Sequence, residues 1–142
     1  MAYHLRKTLF HTSFPAFVEQ LAAELYKEGF TILASSDIEK ILKESLQINM
    51  RKYRIISVII PHLFNEMLSL HLFTGFVLPC QITVYEKTEH EVELSIVDPT
   101  RFMAETVSDS SLQNLADETG RRLNAVLELL SDRPVGAPDG LV

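Results

Sequence analysis

The spacing of hydrophobic and polar positions switches repeatedly between three-to-four and two residues along the chain, and each switch marks an element. Phe14, Phe17, Val18, Leu21, Ala22 and Leu25 recur at helical spacing, which predicts a first helix capped at Thr12 or Ser13 and stopped at Gly29. Pro15 suits its first turn, where a missing amide costs nothing. Ahead of it, Tyr3 to Thr8 reads as a strand, and Lys7 on the apolar parity marks it as an edge. Phe30 to Ala34 reads as a second strand. Ser36 or Asp37 then caps a shorter helix with Ile38, Ile41, Leu42 and Leu46 on one side and Glu39, Lys40, Lys43 and Glu44 on the other. Tyr53 to Ile60 is rich in β-branched residues, too continuously apolar for an edge, and closed by Pro61. His62 to Leu72 follows as a helix, with Leu63, Met67, Leu70 and His71 on one stripe.

The stretch from Gly75 to Pro99 organises the remainder. Cys80, Ile82 and Val84 alternate with Gln81, Thr83 and Tyr85, and Val92, Leu94 and Ile96 alternate with Glu91, Glu93 and Ser95. Two strands wet on one face are predicted, joined through the polar bend Lys87 to His90 as an antiparallel hairpin. Asp98-Pro99 reads as a turn and Ala104 to Ser110 as a polar connection. From Ser110 or Ser111, Leu112, Leu115, Ala116, Thr119, Leu123, Val126, Leu127 and Leu130 form the longest apolar stripe, and the hairpin's inner face is its expected partner. The expected fold is α+β, a mainly antiparallel sheet of about five strands with helices packed on one face. Residues 1–130 form the domain, and 131–142, with Pro134, Gly136, Pro138 and Gly140, a flexible tail.

A length of 142 residues matches one domain, and an apolar fraction of 46% with 23% charged residues gives it a core. The net charge of -6 argues against a nucleic-acid partner, because phosphate binding draws on a basic surface. Ile55 to Leu78 is broken by Pro61, His62, Asn65, Glu66 and His71, so no membrane span is expected. The N-terminal ten residues lack the apolar core of an export signal, and the single cysteine permits no internal disulfide. A cytoplasmic location is expected.

Candidate chemistry is sparse. Cys80 follows Pro79 at the start of a strand, where proline's missing amide leaves an irregular ladder, and a lowered thiol pKa would make it a nucleophile with His62 or His71 as base. The plainer reading is a small buried hydrophobe on the parity of Ile82 and Val84. Pro61-His62 sits at a strand-to-helix corner, where helix amides favour anions. The five histidines have no helical metal-ligand spacing and there is no CxxC, so neither metal nor cofactor is expected. Glu86, Glu89, Glu91 and Glu93 surround the hairpin bend as a solvated edge, and Arg121-Arg122 is too small for a nucleic-acid patch.

Several segments together resemble the family called domain of unknown function 302: Phe17, Leu21 and Leu25 running into Gly29-Phe30, Asp37-Ile38, Tyr53 to Pro61, Leu78-Pro79-Cys80, Val84-Tyr85-Glu86 and Val97-Asp98-Pro99. The resemblance spans about residues 3 to 130 and implies a fold similar to the TATA-binding-protein superfold, a homodimer, and no established activity. Members often carry Cys-Asn-Pro at the end of the middle strand, whereas Ile59-Ile60-Pro61 stands here. Two cooperating cysteines are therefore not available to this chain. The expectation is a non-enzymatic, homodimeric domain able to hold a small apolar ligand, with Pro61, His62, His71, Pro79 and Cys80 as candidate site residues. The alternative is a thiol-dependent enzyme or redox protein using Cys80.

Overall fold

The computed structural model describes residues 4–130. The elements are β1 (His4–Phe10), α1 (Phe14–Lys27), β2 (Thr31–Asp37), α2 (Ile38–Leu46), β3 (Tyr53–Ile59), α3 (Pro61–Leu70), α4 (Thr74–Val77), β4 (Cys80–Thr88), β5 (Glu91–Val97), α5 (Pro99–Thr106) and α6 (Ser110–Leu129). The expected flexible tail lies outside the described residues.

The five strands form one sheet in the order β1-β5-β4-β3-β2, with every neighbouring pair antiparallel. Register follows from the two-residue period, because a slip of one position would turn every apolar side chain outward. Val84 pairs with Leu94 and Ile82 with both Ile96 and Ile56, so one face collects Leu9, Ile56, Val58, Cys80, Ile82, Val84, Val92, Leu94 and Ile96, all buried. No strand residue of the opposite parity is buried among the described residues. The helices cover the apolar face. Phe14, Phe17, Leu21 and Leu25 of α1 and Leu112, Ala116, Leu123 and Val126 of α6 enter the same core as the hairpin residues. Each fully buried large side chain contributes roughly 1.5–3 kcal/mol.

Local chemistry sets the boundaries. The Ser13 hydroxyl accepts the Ala16 amide at 3.3 Å to start α1, and Gly29, at φ 88°, ends it. That left-handed turn lets Phe30 N–H reach the Leu25 carbonyl at 3.0 Å. The Asp109 carboxylate accepts the Leu112 amide at 3.0 Å and starts α6. Lys7 lies opposite Leu94 on the core face of edge strand β1, and its ammonium donates to the carbonyls of Leu127 at 2.8 Å and Leu130 at 3.0 Å. The charge on the apolar parity thus caps the C-terminus of α6, whose own last turn holds no basic residue.

The structure corrects the expected elements in three places. Gly75 does not restart a strand: it lies in the helical turn α4, held by a buried Thr74 whose hydroxyl donates to the Met67 carbonyl at 3.3 Å. Asp98-Pro99 is more than a turn. The Asp98 carboxylate accepts the Thr100 amide at 3.0 Å, Pro99 fills the first helical position, and α5 runs from there with Pro99 and Met103 buried. The apolar stripe of α2 is only partly covered: Ile38 and Leu42 are half-buried, Ile41 and Leu46 are exposed, and none of its residues is fully buried.

Candidate functional site

The corner where β3 ends and β4 begins holds two of the five sequence candidates, Pro79 and Cys80. Val58 pairs with Cys80, so the C-terminal end of β3 and the entrance of β4 lie side by side beneath α3. A cleft there is lined by Ile60, Phe64, Met67, Leu78, Pro79 and Cys80, together with Val58, Ile59 and Thr119. Its cavity is about 10 Å³. A water molecule needs at least roughly 10–15 Å³, so the cleft holds at most one. The Thr119 hydroxyl donates to its own helix, at 2.9 Å from the Leu115 carbonyl.

Cys80 is buried, and burial first, then the nearby Asp98 carboxylate, push its thiol up to about 12 from an ordinary 9.0. Both influences disfavour the thiolate, the form a nucleophile or metal ligand needs. Pro61 is the first residue of α3 and is exposed, as is His62 beside it. His71 stands at the other end of that helix, exposed, with Nε2 3.2 Å from Asp109 Oδ2. The structure therefore brings Pro79 and Cys80 together in the cleft and leaves His62 and His71 outside it. A thiol nucleophile with an imidazole base finds no geometric support in that arrangement.

The remaining charged candidates are tied into the surface. Glu93 pairs with Arg6 and Arg51 lies 3.5 Å from Glu86, while Glu118 pairs with both Arg121 and Arg122. Arg122 also donates to the Glu28 carbonyl at 3.3 Å, locking α6 to the end of α1. Among the described residues no three His, Cys, Asp or Glu side chains group as a metal ion would require. No helix among them is long and apolar enough to cross a membrane.

A second feature, outside the residues singled out from the sequence, begins on the neighbouring strand, where Thr31 pairs with Ile59 and Ile32 with Val58. β2 is an edge strand whose first five residues are exposed; Ser36 to Glu39 and Leu42 are half-buried, and the rest of α2 and the connection to β3 are exposed. Ile32, Leu33, Ile41, Leu46, Ile48 and Met50 are between 37% and 61% exposed. Arg54 anchors this flank to the core: it lies over the Phe14 ring at 5.5 Å and 2.7 Å from Asp37, which also meets Lys40 at 3.2 Å. The sequence signal was there, in an amphipathic helix of nine residues beside an apolar strand, yet periodicity does not say what covers a stripe.

Comparison with known proteins places this architecture. The chain gives no match among curated proteins. Its fold is similar to the crystal structure of an uncharacterized conserved DUF302 protein from Bacillus stearothermophilus. The TM-score is 0.78 at 24% identity, over 90% of this chain and 98% of the other. The family model described as domain of unknown function DUF302 matches residues 5–130, nearly everything from β1 to the end of α6, and the chain accordingly belongs to that family.

Proposed function

We propose that this protein is a non-enzymatic domain that works as a homodimer, two copies meeting along the flank formed by β2, α2 and the connection to β3. The observation that carries this reading is a group of six large apolar side chains in residues 31–50, each 37% to 61% exposed, along a flank in which no residue is fully buried. Contiguous apolar patches of this kind mark interaction sites on soluble proteins. The sealed Cys80 and the dispersed histidines remove the most obvious catalytic set, which favours binding over chemistry.

A small apolar ligand remains part of the reading through the lining of the Pro79-Cys80 cleft, which would have to widen to admit anything larger than a water. Native mass spectrometry of freshly purified protein tests both parts at once. A dimer is expected, with any retained ligand seen as added mass; a clean monomer at tens of micromolar overturns self-association. A lone, protected thiol also suits a reducing compartment, and we assign the protein to the cytoplasm on that ground. Fractionation with a compartment marker checks it.

A further inference from the structure

An edge strand presents a row of unpaired amides and carbonyls, and proteins that stay monomeric block that row with charge, proline or irregularity. The two edges of this sheet differ in that respect. β1 carries Arg6 and Lys7 in succession, with Lys7 turned inward to the end of α6. β2 has neither proline nor charge from Thr31 to Ser36, and Asp37, its last residue, is already neutralised by Arg54 and Lys40. Its one irregularity is the shift in register between Ile32 and Ala34. Beyond that shift, Ala34, Ser35 and Ser36 form a regular, small-sided stretch.

Resting on the homodimer reading above, we propose that the two copies join backbone to backbone. Their β2 strands pair antiparallel across a two-fold axis at Ser35, so that two five-stranded sheets become one continuous sheet. The occupant of the edge is a second copy of this chain for three reasons. Antiparallel pairing of one strand with itself is isologous and closes at two subunits, whereas joining β2 to the charged β1 edge would propagate a filament. Ile32, Leu33, Ile41, Leu46, Ile48 and Met50, all exposed, supply apolar surface on the same flank that a second copy can cover. The flank is also nearly neutral, with Asp37, Glu39 and Glu44 against Lys40 and Lys43, so two chains of charge -6 can approach there with little repulsion.

A single engineered thiol tests this, because the natural Cys80 is buried and silent. In the proposed register the two Ser35 positions face each other with Cβ atoms about 4.5–5.5 Å apart, close to disulfide range. The Ser35→Cys variant, oxidised with glutathione disulfide, is expected to convert largely to a covalent dimer, while Leu46→Cys and the unaltered protein do not. Ser35→Lys, which sets like charges opposite one another, is expected to weaken the dimer by roughly tenfold or more with the circular dichroism spectrum unchanged. A dimer in native mass spectrometry that neither cross-links through Ser35→Cys nor weakens with Ser35→Lys overturns strand pairing and leaves self-association standing. A monomer throughout overturns both.

Discussion

Removing the Lys7 ammonium while keeping its stem, as Lys7→Met does, should destabilise the protein although Lys7 occupies a position on the apolar parity of β1. The side chain makes two charge-assisted hydrogen bonds, 2.8 Å to the Leu127 carbonyl and 3.0 Å to that of Leu130. Bonds to charged groups contribute roughly 1.5–3 kcal/mol each, and a cation at a helix C-terminus a further 0.3–1 kcal/mol. Lys7 is only half-buried, so water replaces part of what is lost, and methionine gains some burial on the core face. A net loss of about 2 kcal/mol follows, which for a domain of this size lowers Tm by about 7 °C. Urea denaturation followed by circular dichroism measures it, with the slope unchanged and the midpoint lowered. Amide exchange should accelerate in the last turn of α6 and much less in α1. A Lys7→Met protein within about 0.5 kcal/mol of the unaltered one would refute the capping role and reduce Lys7 to a tolerated edge charge.

Three further outcomes are expected. The Cys80 thiol, pushed up to about 12, should resist alkylation in the native protein at pH 8 and react only as fast as the chain opens. Because its folded value lies above its ordinary 9.0, the stability it contributes is complete below pH 9 and declines above it; Cys80→Ala should flatten that alkaline limb in denaturation measured against pH. Gly120 sits where a Cβ would stand 2.6 Å from Thr100 Oγ1, so Gly120→Ala should cost about 1–3 kcal/mol despite alanine's better helix propensity, and Thr100→Ala should recover part of it in a double-mutant cycle. The Leu112 amide chiefly, with smaller help from His71 and the Ser111 amide, holds the Asp109 carboxyl below its ordinary 3.8 against desolvation, which raises it. Its contribution is therefore present above that value and lost as pH falls through the folded one; acid denaturation of Asp109→Asn should show a shallower limb there.

Much of the fold was legible because period reports which side of an element is apolar. The alternation in Cys80 to Val84 and Val92 to Ile96 placed the hairpin, and the stripe from Leu112 to Leu130 placed α6, with both ending in one core. The failures share a cause. Asp98-Pro99 carries a cap and a first-turn proline, signals that serve a turn as well as a helix, and the choice fell to the burial of Met103. Thr74 and Gly75 turn helically because a hydroxyl closes α3, a contact between segments that no local pattern records. At the candidate site, the sequence made Cys80 a member of the core parity but could not say whether an imidazole reached it.

The sequence by itself determined most of the secondary elements, the apolar parity of the hairpin strands and the chemistry on offer: one thiol, scattered histidines and a net acidic charge. Those are properties of neighbours along the chain, which covalent geometry fixes. The tertiary structure alone decided strand order, the sealing of Cys80, the use of Lys7 as a helix cap and the exposure of apolar side chains along β2 and α2. Each of these depends on which distant segments exclude water from one another, and burial is a relation among segments that no window of sequence contains.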